Sequence, residues 1–174
     1  MRLGYVTGAT PDKWARAWRE RRSEPLELVQ VTEADQERVI RAGEVDMALV
    51  RLPVERDGLH LIPLYEELPV AVLSVDDELT LLDEVTTDDL ADKHQGWTGL
   101  TTREAVETVA AGTGVLVVPM SVARLHHRKD VTYRTVADLA STTIGLTWLV
   151  DNDDPRVQAF IGIVRGRSER SSRG

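Results

Sequence analysis

The residues of this chain best suited to holding a small polar ligand sit where apolar runs give way to helix starts. Thr7-Gly8-Ala9-Thr10 follows the run Leu3 to Val6 and precedes Pro11-Asp12. A loop of that kind offers hydroxyls, close backbone approach at Gly8, and the unpaired N–H groups and positive dipole end of a helix, chemistry suited to a carboxylate or phosphate. Its alternative role is an ordinary turn with Thr10 as the helix cap. It is not a P-loop, because the Gly-Lys-Ser/Thr ending is missing. Thr32 stands in the same place after a second apolar run; its hydroxyl either caps its own helix, the commoner role, or faces a ligand. Arg51, with Leu52 and Pro53, follows the most apolar run of the chain. Its fork either grips a carboxylate in bidentate fashion or pairs with Glu55, Asp57 or another nearby acid. Thr101 and Thr102 open a later helix and have the same two roles as Thr32.

Other chemistries find little support. Cysteine is absent, which removes disulfides and thiolate metal sites. His60, His94, His126 and His127 do not have the spacing of a metal site. The pair His126-His127, among Arg124, Arg128 and Lys129, reads as a solvated basic turn. Ser74, Ser121 and Ser141 lack a nucleophile-elbow context, so no catalytic residue, metal or cofactor is expected. The formal net charge of −8 argues against direct DNA binding, which calls for a basic face. The one basic segment is the tail from Arg165 on, whose Ser- and Gly-rich end, 167–174, reads as disordered. No stretch has the length and apolarity of a signal peptide or membrane span, so a cytoplasmic protein without membrane contact is expected.

Alternating strands and helices must position these residues. Leu3 to Val6, Leu26 to Val31 and Met47 to Val50 read as strands. The first two are separated by a helix starting at Thr10-Pro11-Asp12 with Trp14, Ala15, Ala17 and Trp18 as its apolar stripe. The next two are separated by one starting at Thr32-Glu33-Ala34-Asp35 and stopped by Gly43. A βαβαβ unit of this kind implies a largely parallel sheet. Further along, Leu59 to Leu64 and Pro69 to Ser74 precede a short helical pattern at Thr87 to Ala91. A helix from Thr101 to Ala111 leads into a strand over Gly114 to Val118, closed by Pro119. Ser121 is placed to cap a short helix through Leu125. Strands at Val131 to Val136 and Ile144 to Val150, and a helix after Asp154-Pro155, complete the pattern.

The strings Leu3-Gly4-Tyr5-Val6, Val45-Asp46-Met47-Ala48-Leu49-Val50-Arg51 and Ile62-Pro63-Leu64-Tyr65-Glu66-Glu67 resemble the effector-binding domain of LysR-type transcriptional regulators. So do Val109-Ala110-Ala111-Gly112-Thr113-Gly114-Val115-Leu116-Val117-Val118-Pro119 and Asp154-Pro155-Arg156-Val157-Gln158-Ala159-Phe160. The resemblance covers about residues 1–166 and implies an α/β, two-lobed type 2 periplasmic-binding-protein-like fold with mixed, mostly parallel sheets and two hinge crossings. Lobe I would be 1–67 and 144–166, and a shortened lobe II 68–143, with the hinge near Leu68 and Thr143. The family's effector contacts map onto Thr7 to Thr10, Thr32, Arg51 to Pro53, Thr101, Thr102 and Pro119. The function implied is that of a small-molecule sensor for an anionic metabolite. It would act in transcription through a homodimer over Thr32–Ala42, or by pairing with a full-length LysR-type regulator. Two departures from the family pattern stand out. The chain as read starts on strand one, so a sensor without the family's winged helix-turn-helix and linker helix is expected unless Met1 is not the true start, and the stretch between Leu90 and Thr101 is short, leaving Trp97 either to line the cleft or to plug the lobe. The alternative reading is a small metabolic enzyme of the same fold, such as a chorismate-dehydratase-like lyase.

Overall fold

A computed structural model describes residues 1–166; the expected disordered tail, 167–174, lies outside the described residues. In chain order the elements are β1 Arg2–Val6, α1 Asp12–Arg21, β2 Glu27–Val31, α2 Gln36–Arg41, β3 Met47–Arg51, β4 Leu59–Glu67, β5 Pro69–Ser74, a 3-10 turn Glu78–Leu81 and α3 Thr87–Leu90. They continue with α4 Thr102–Ala110, β6 Leu116–Pro119, α5 Met120–Leu125, β7 Val131–Thr135, β8 Thr142–Leu149 and α6 Pro155–Val164. The chain divides into two compact units. The first is Met1–Tyr65 with the chain from Thr143 on, and the second is Glu66–Thr142.

The first unit is built on a five-stranded sheet in the order β2-β1-β3-β8-β4. β1 pairs in parallel with both β2 and β3, and β8 returns antiparallel to β3. The unbroken apolar run of β3 follows from burial on both faces. Met47 and Leu49 belong to the core cluster that includes Trp14 and Trp18 of α1 and Phe160 of α6. Ala48 and Val50 point the other way, into a cluster with Val39 and Ile40 of α2. Trp18 is fully buried, yet its indole N–H is satisfied by the Glu24 carbonyl at 2.7 Å. Its ring lies 6.0 Å from that of Phe160.

Helix α6 begins as the Asp154-Pro155 pair predicts. The Asp154 carboxylate accepts from the Arg156 amide at 2.9 Å and from its guanidinium at 3.0 Å. Those bonds, led by the Arg156 side chain, hold the Asp154 carboxyl well below the usual carboxylate range, at about 2. A carboxyl depressed in the folded state contributes its stabilisation in full above the ordinary range and loses it as pH falls towards 2. The Asp154 carboxyl carbon is therefore expected to titrate by NMR with a midpoint near 2. Titration at the ordinary value would mean that the Arg156 clamp does not exist in solution.

The second unit carries a three-stranded sheet, β6-β5-β7. Helices α4 and α5 supply Ala105, Val106, Val109 and Ala123 to one face, against Val70 and Val72 of β5. Leu79, Val85 and Leu90 cover the other face, against Ala71 and Leu73. Both of its pairings are antiparallel. The α/β class with mixed sheets is as expected, and the second unit adds one isolated parallel bridge, Val85 to Val136, but the parallel strand pairs are β1–β2 and β1–β3, where βαβ connections join the strands. Trp97 plugs rather than gapes: it packs against the α4–β5 cluster and donates its indole N–H to the Val115 carbonyl at 2.9 Å. Gly114 has φ +72, and a Cβ there would overlap the His94 carbonyl, so the Gly112-Thr113-Gly114 turn requires its second glycine.

Candidate functional site

Because β1, β2 and β3 run in parallel, their carboxyl ends share one edge of the first unit's sheet. The order β2-β1-β3 reverses direction at β1, since α1 leads to one side of it and α2 to the other. That places the loop after β1 at a topological switch point, where open α/β sheets bind ligands. Thr7, Gly8, Ala9 and Thr10 form this loop. Gly8 has φ +95, a conformation that favours glycine. Thr7 is fixed from two sides. Its amide and hydroxyl both donate to the Val31 carbonyl, at 3.0 and 3.2 Å, and its own carbonyl accepts from the Arg51 guanidinium at 3.0 Å.

Arg51 is 4% exposed and also donates to the Glu33 carboxylate at 3.3 Å. Its guanidinium has internal partners, with Glu33 among them rather than Glu55 or Asp57. Its backbone is clamped as well. The buried Gln36 side chain donates to the Arg51 carbonyl and accepts from its amide, both at 2.8 Å. Sequence reading missed Gln36 and Glu33, because a polar residue early in a helix looks like solvated surface. Leu52 continues the anchoring through its amide, which donates to the Thr143 carbonyl at 2.8 Å, while Pro53 is exposed.

The three threonines at helix starts separate. Thr32 is taken up by its own turn: its hydroxyl donates to the Asp35 carboxylate at 3.2 Å and accepts from the Asp35 amide at 3.3 Å. Thr101 makes a full capping box with Glu104, at 3.2 and 3.0 Å. Thr10, expected as a cap, is not one. The N-cap residue of α1 is Pro11, whose carbonyl accepts from the Trp14 and Ala15 amides at 3.0 and 2.9 Å. The Thr10 side chain is exposed and has no hydrogen-bond partner among the described residues. It lines a cavity of about 380 Å3 together with Asp12, Lys13, Trp14, Arg16 and Tyr65. Lys13 and Arg16 bring positive charge to this opening, and the Lys13 ammonium sits 4.7 Å above the Trp14 ring. Tyr65 comes from β4, more than fifty residues away in sequence, and no local pattern could have pointed to it.

In the second unit, Thr102 is exposed beside Thr101, and Pro119 ends β6 in register with Pro69. Ser121 does not cap α5, as the sequence suggested. Its hydroxyl donates to the Glu67 carboxylate at 2.7 Å, and the Thr142 hydroxyl donates to the other oxygen of that group at 3.1 Å. Glu67 is 5% exposed. It therefore ties together the segment by which the chain enters the unit, the start of α5, and the segment by which it leaves. Among the described residues no group of three or more histidines and acids could hold a metal ion, and no helix is long and apolar enough to cross a membrane.

Comparison with known proteins gives a consistent result. The family model described as the LysR substrate binding domain matches residues 13–100. The HTH-type transcriptional regulator AlsR of Bacillus subtilis (strain 168) is 24% identical over 205 residues, a match that covers 97% of this chain and 67% of AlsR. The chain thus spans about two thirds of the length of that relative. Among solved structures, an OxyR regulatory domain variant from Pseudomonas aeruginosa superposes with a TM-score of 0.76 at 20% identity, covering 97% of each chain. The BenM effector binding domain with its effector benzoate gives a TM-score of 0.78 at 16% identity, covering 95% of this chain and 90% of the other. These likenesses bear out the periplasmic-binding-protein-like fold expected from the sequence.

Proposed function

The chain belongs to the LysR substrate-binding domain family, and from that premise we propose that it is a sensor whose first unit holds a small anionic metabolite at the loop Thr7–Thr10. The observation that carries this reading is the Thr10 hydroxyl. It stands unclaimed at a switch point of the sheet, on a loop that Arg51 and Val31 hold rigid. Thr32 and Arg51 to Pro53 border that loop. Thr10 opens onto a cavity where Lys13 and Arg16 outnumber the single acid, Asp12, a balance that suits a carboxylate or phosphate, and benzoate, the effector of BenM, is a small carboxylate. The output is transcriptional, through a homodimer over Thr32–Ala42 or through pairing with a full-length regulator of the family, and this chain itself makes no DNA contact.

The test is isothermal titration calorimetry of the protein against aromatic acids, dicarboxylates and sugar phosphates. At least one acid is expected to bind reversibly. Thr10→Val is expected to weaken it about tenfold, while the melting temperature of the free protein stays unchanged. Equal affinity in the variant would remove the Thr7–Thr10 site. Chemical conversion of the bound acid, seen by chromatography after incubation, would favour a lyase of the same fold instead.

A further inference from the structure

We propose that the second unit holds a ligand site of its own, between the C-terminal end of α5 and β7, and that it takes a small monocarboxylate with an apolar body. A cavity of about 410 Å3 opens there, within the size range of small-molecule sites. None of the residues lining it belongs to the set assigned above.

The chemistry of the lining is divided in the way such a ligand needs. Val72, Ala123 and Val131 are buried and form an apolar floor. Arg124, His127, Thr132 and Tyr133 complete the wall. The Arg124 guanidinium is oriented through its Nε, which donates to the Tyr133 hydroxyl at 3.2 Å. That leaves both terminal amino groups of the fork without a partner among the described residues. In a chain with 29 acidic and 21 basic residues, an oriented arginine without a carboxylate is a cation held for something else. The acids close by are already committed. Asp130 takes Arg128 at 2.9 and 3.0 Å, and Glu107 takes Arg103 at 3.3 Å. Those two arginines line a neighbouring cavity of about 430 Å3 together with Glu107 and His127. A planar fork fixed at one nitrogen, above an apolar floor, selects a carboxylate attached to a hydrocarbon over a bare anion.

The experiment is a titration of the 15N-labelled protein with sodium hexanoate, followed in amide correlation spectra. Hexanol (the same body without charge) and inorganic phosphate (charge without the body) serve as controls. Hexanoate is expected to give saturable shifts at residues 123–127 and 131–133, with weaker responses to both controls. Arg124→Gln, a change at an exposed position, is expected to keep the dispersed spectrum and to raise the hexanoate dissociation constant at least about tenfold. The proposal is overturned if hexanoate gives no saturable shift there, if hexanol or phosphate binds as well, or if Arg124→Gln binds with unchanged affinity. It is likewise overturned if hexanoate shifts only Thr7–Thr10, or if the shifts at β7 follow protein concentration rather than added acid, which would mark an interface between copies.

Discussion

Truncating Glu67 to alanine is expected to destabilise the protein by about 3 kcal/mol in urea unfolding. The substitution removes a buried acceptor from the Ser121 and Thr142 hydroxyls and leaves both donors facing a small void. Each lost hydrogen bond to a charged group accounts for roughly 1.5–3 kcal/mol, and a donor stranded away from water carries its own desolvation cost. Glu67→Gln keeps the volume and one acceptor oxygen, and a hydroxyl can rotate to accept from the new amide. Its cost is expected to be roughly 1–2 kcal/mol. Ser121→Ala and Thr142→Val, combined in a double-mutant cycle, should couple to each other through the carboxylate they share. Strict additivity of the two would mean that Glu67 does not join the entering and leaving segments.

Glu67 also shows where sequence reading stops. Its partners lie 54 and 75 residues away, and nothing about a Glu-Glu pair at the end of an apolar strand announces a buried acceptor. The same holds for Gln36, which bonds both backbone polar groups of Arg51 from 15 residues away. What the sequence did convey was periodic or chemically forced. The apolar run Met47 to Val50 is buried on two faces and becomes β3. Gly112 stops α4 with a positive φ, whereas Gly114, read as the first residue of a strand, belongs to the turn, and β6 starts at Leu116. Asp154-Pro155 starts α6 with a side-chain cap.

The threonines at helix starts mark the boundary between these two cases. Thr10, Thr32 and Thr101 stand in equivalent local patterns, and a cap or a ligand contact was open to each of them. The proline after Thr10 decides its case by moving the N-cap one residue on, whereas Asp35 and Glu104 claim the other two hydroxyls. Local rules state which partners are possible; which one is taken depends on a single competing residue.

Arg51→Ala is expected to separate anchoring from contact at the candidate site. Arg51 is buried, and its guanidinium joins the Thr7 carbonyl on one loop to Glu33 on another. Removing it strands the Thr7 carbonyl, whereas Glu33 is well exposed and remains hydrated. The expected cost is about 2–3 kcal/mol, below that of a pair buried on both sides. Arg51→Lys retains the charge, but a single ammonium cannot span two acceptors with the geometry of a fork, so most of the loss persists. Glu33→Gln is expected to cost under about 1 kcal/mol, as for other ion pairs with an exposed partner. Hydrogen exchange is the discriminating measurement. Arg51→Ala should speed exchange of the Thr7 and Ala9 amides, whose acceptors are the Val31 and Val6 carbonyls, and should lower ligand affinity together with stability. Thr10→Val should lower affinity alone. If Arg51→Ala leaves loop exchange unchanged and affects only ligand affinity, the guanidinium acts directly on the ligand and Glu33 is a partner it gives up on binding.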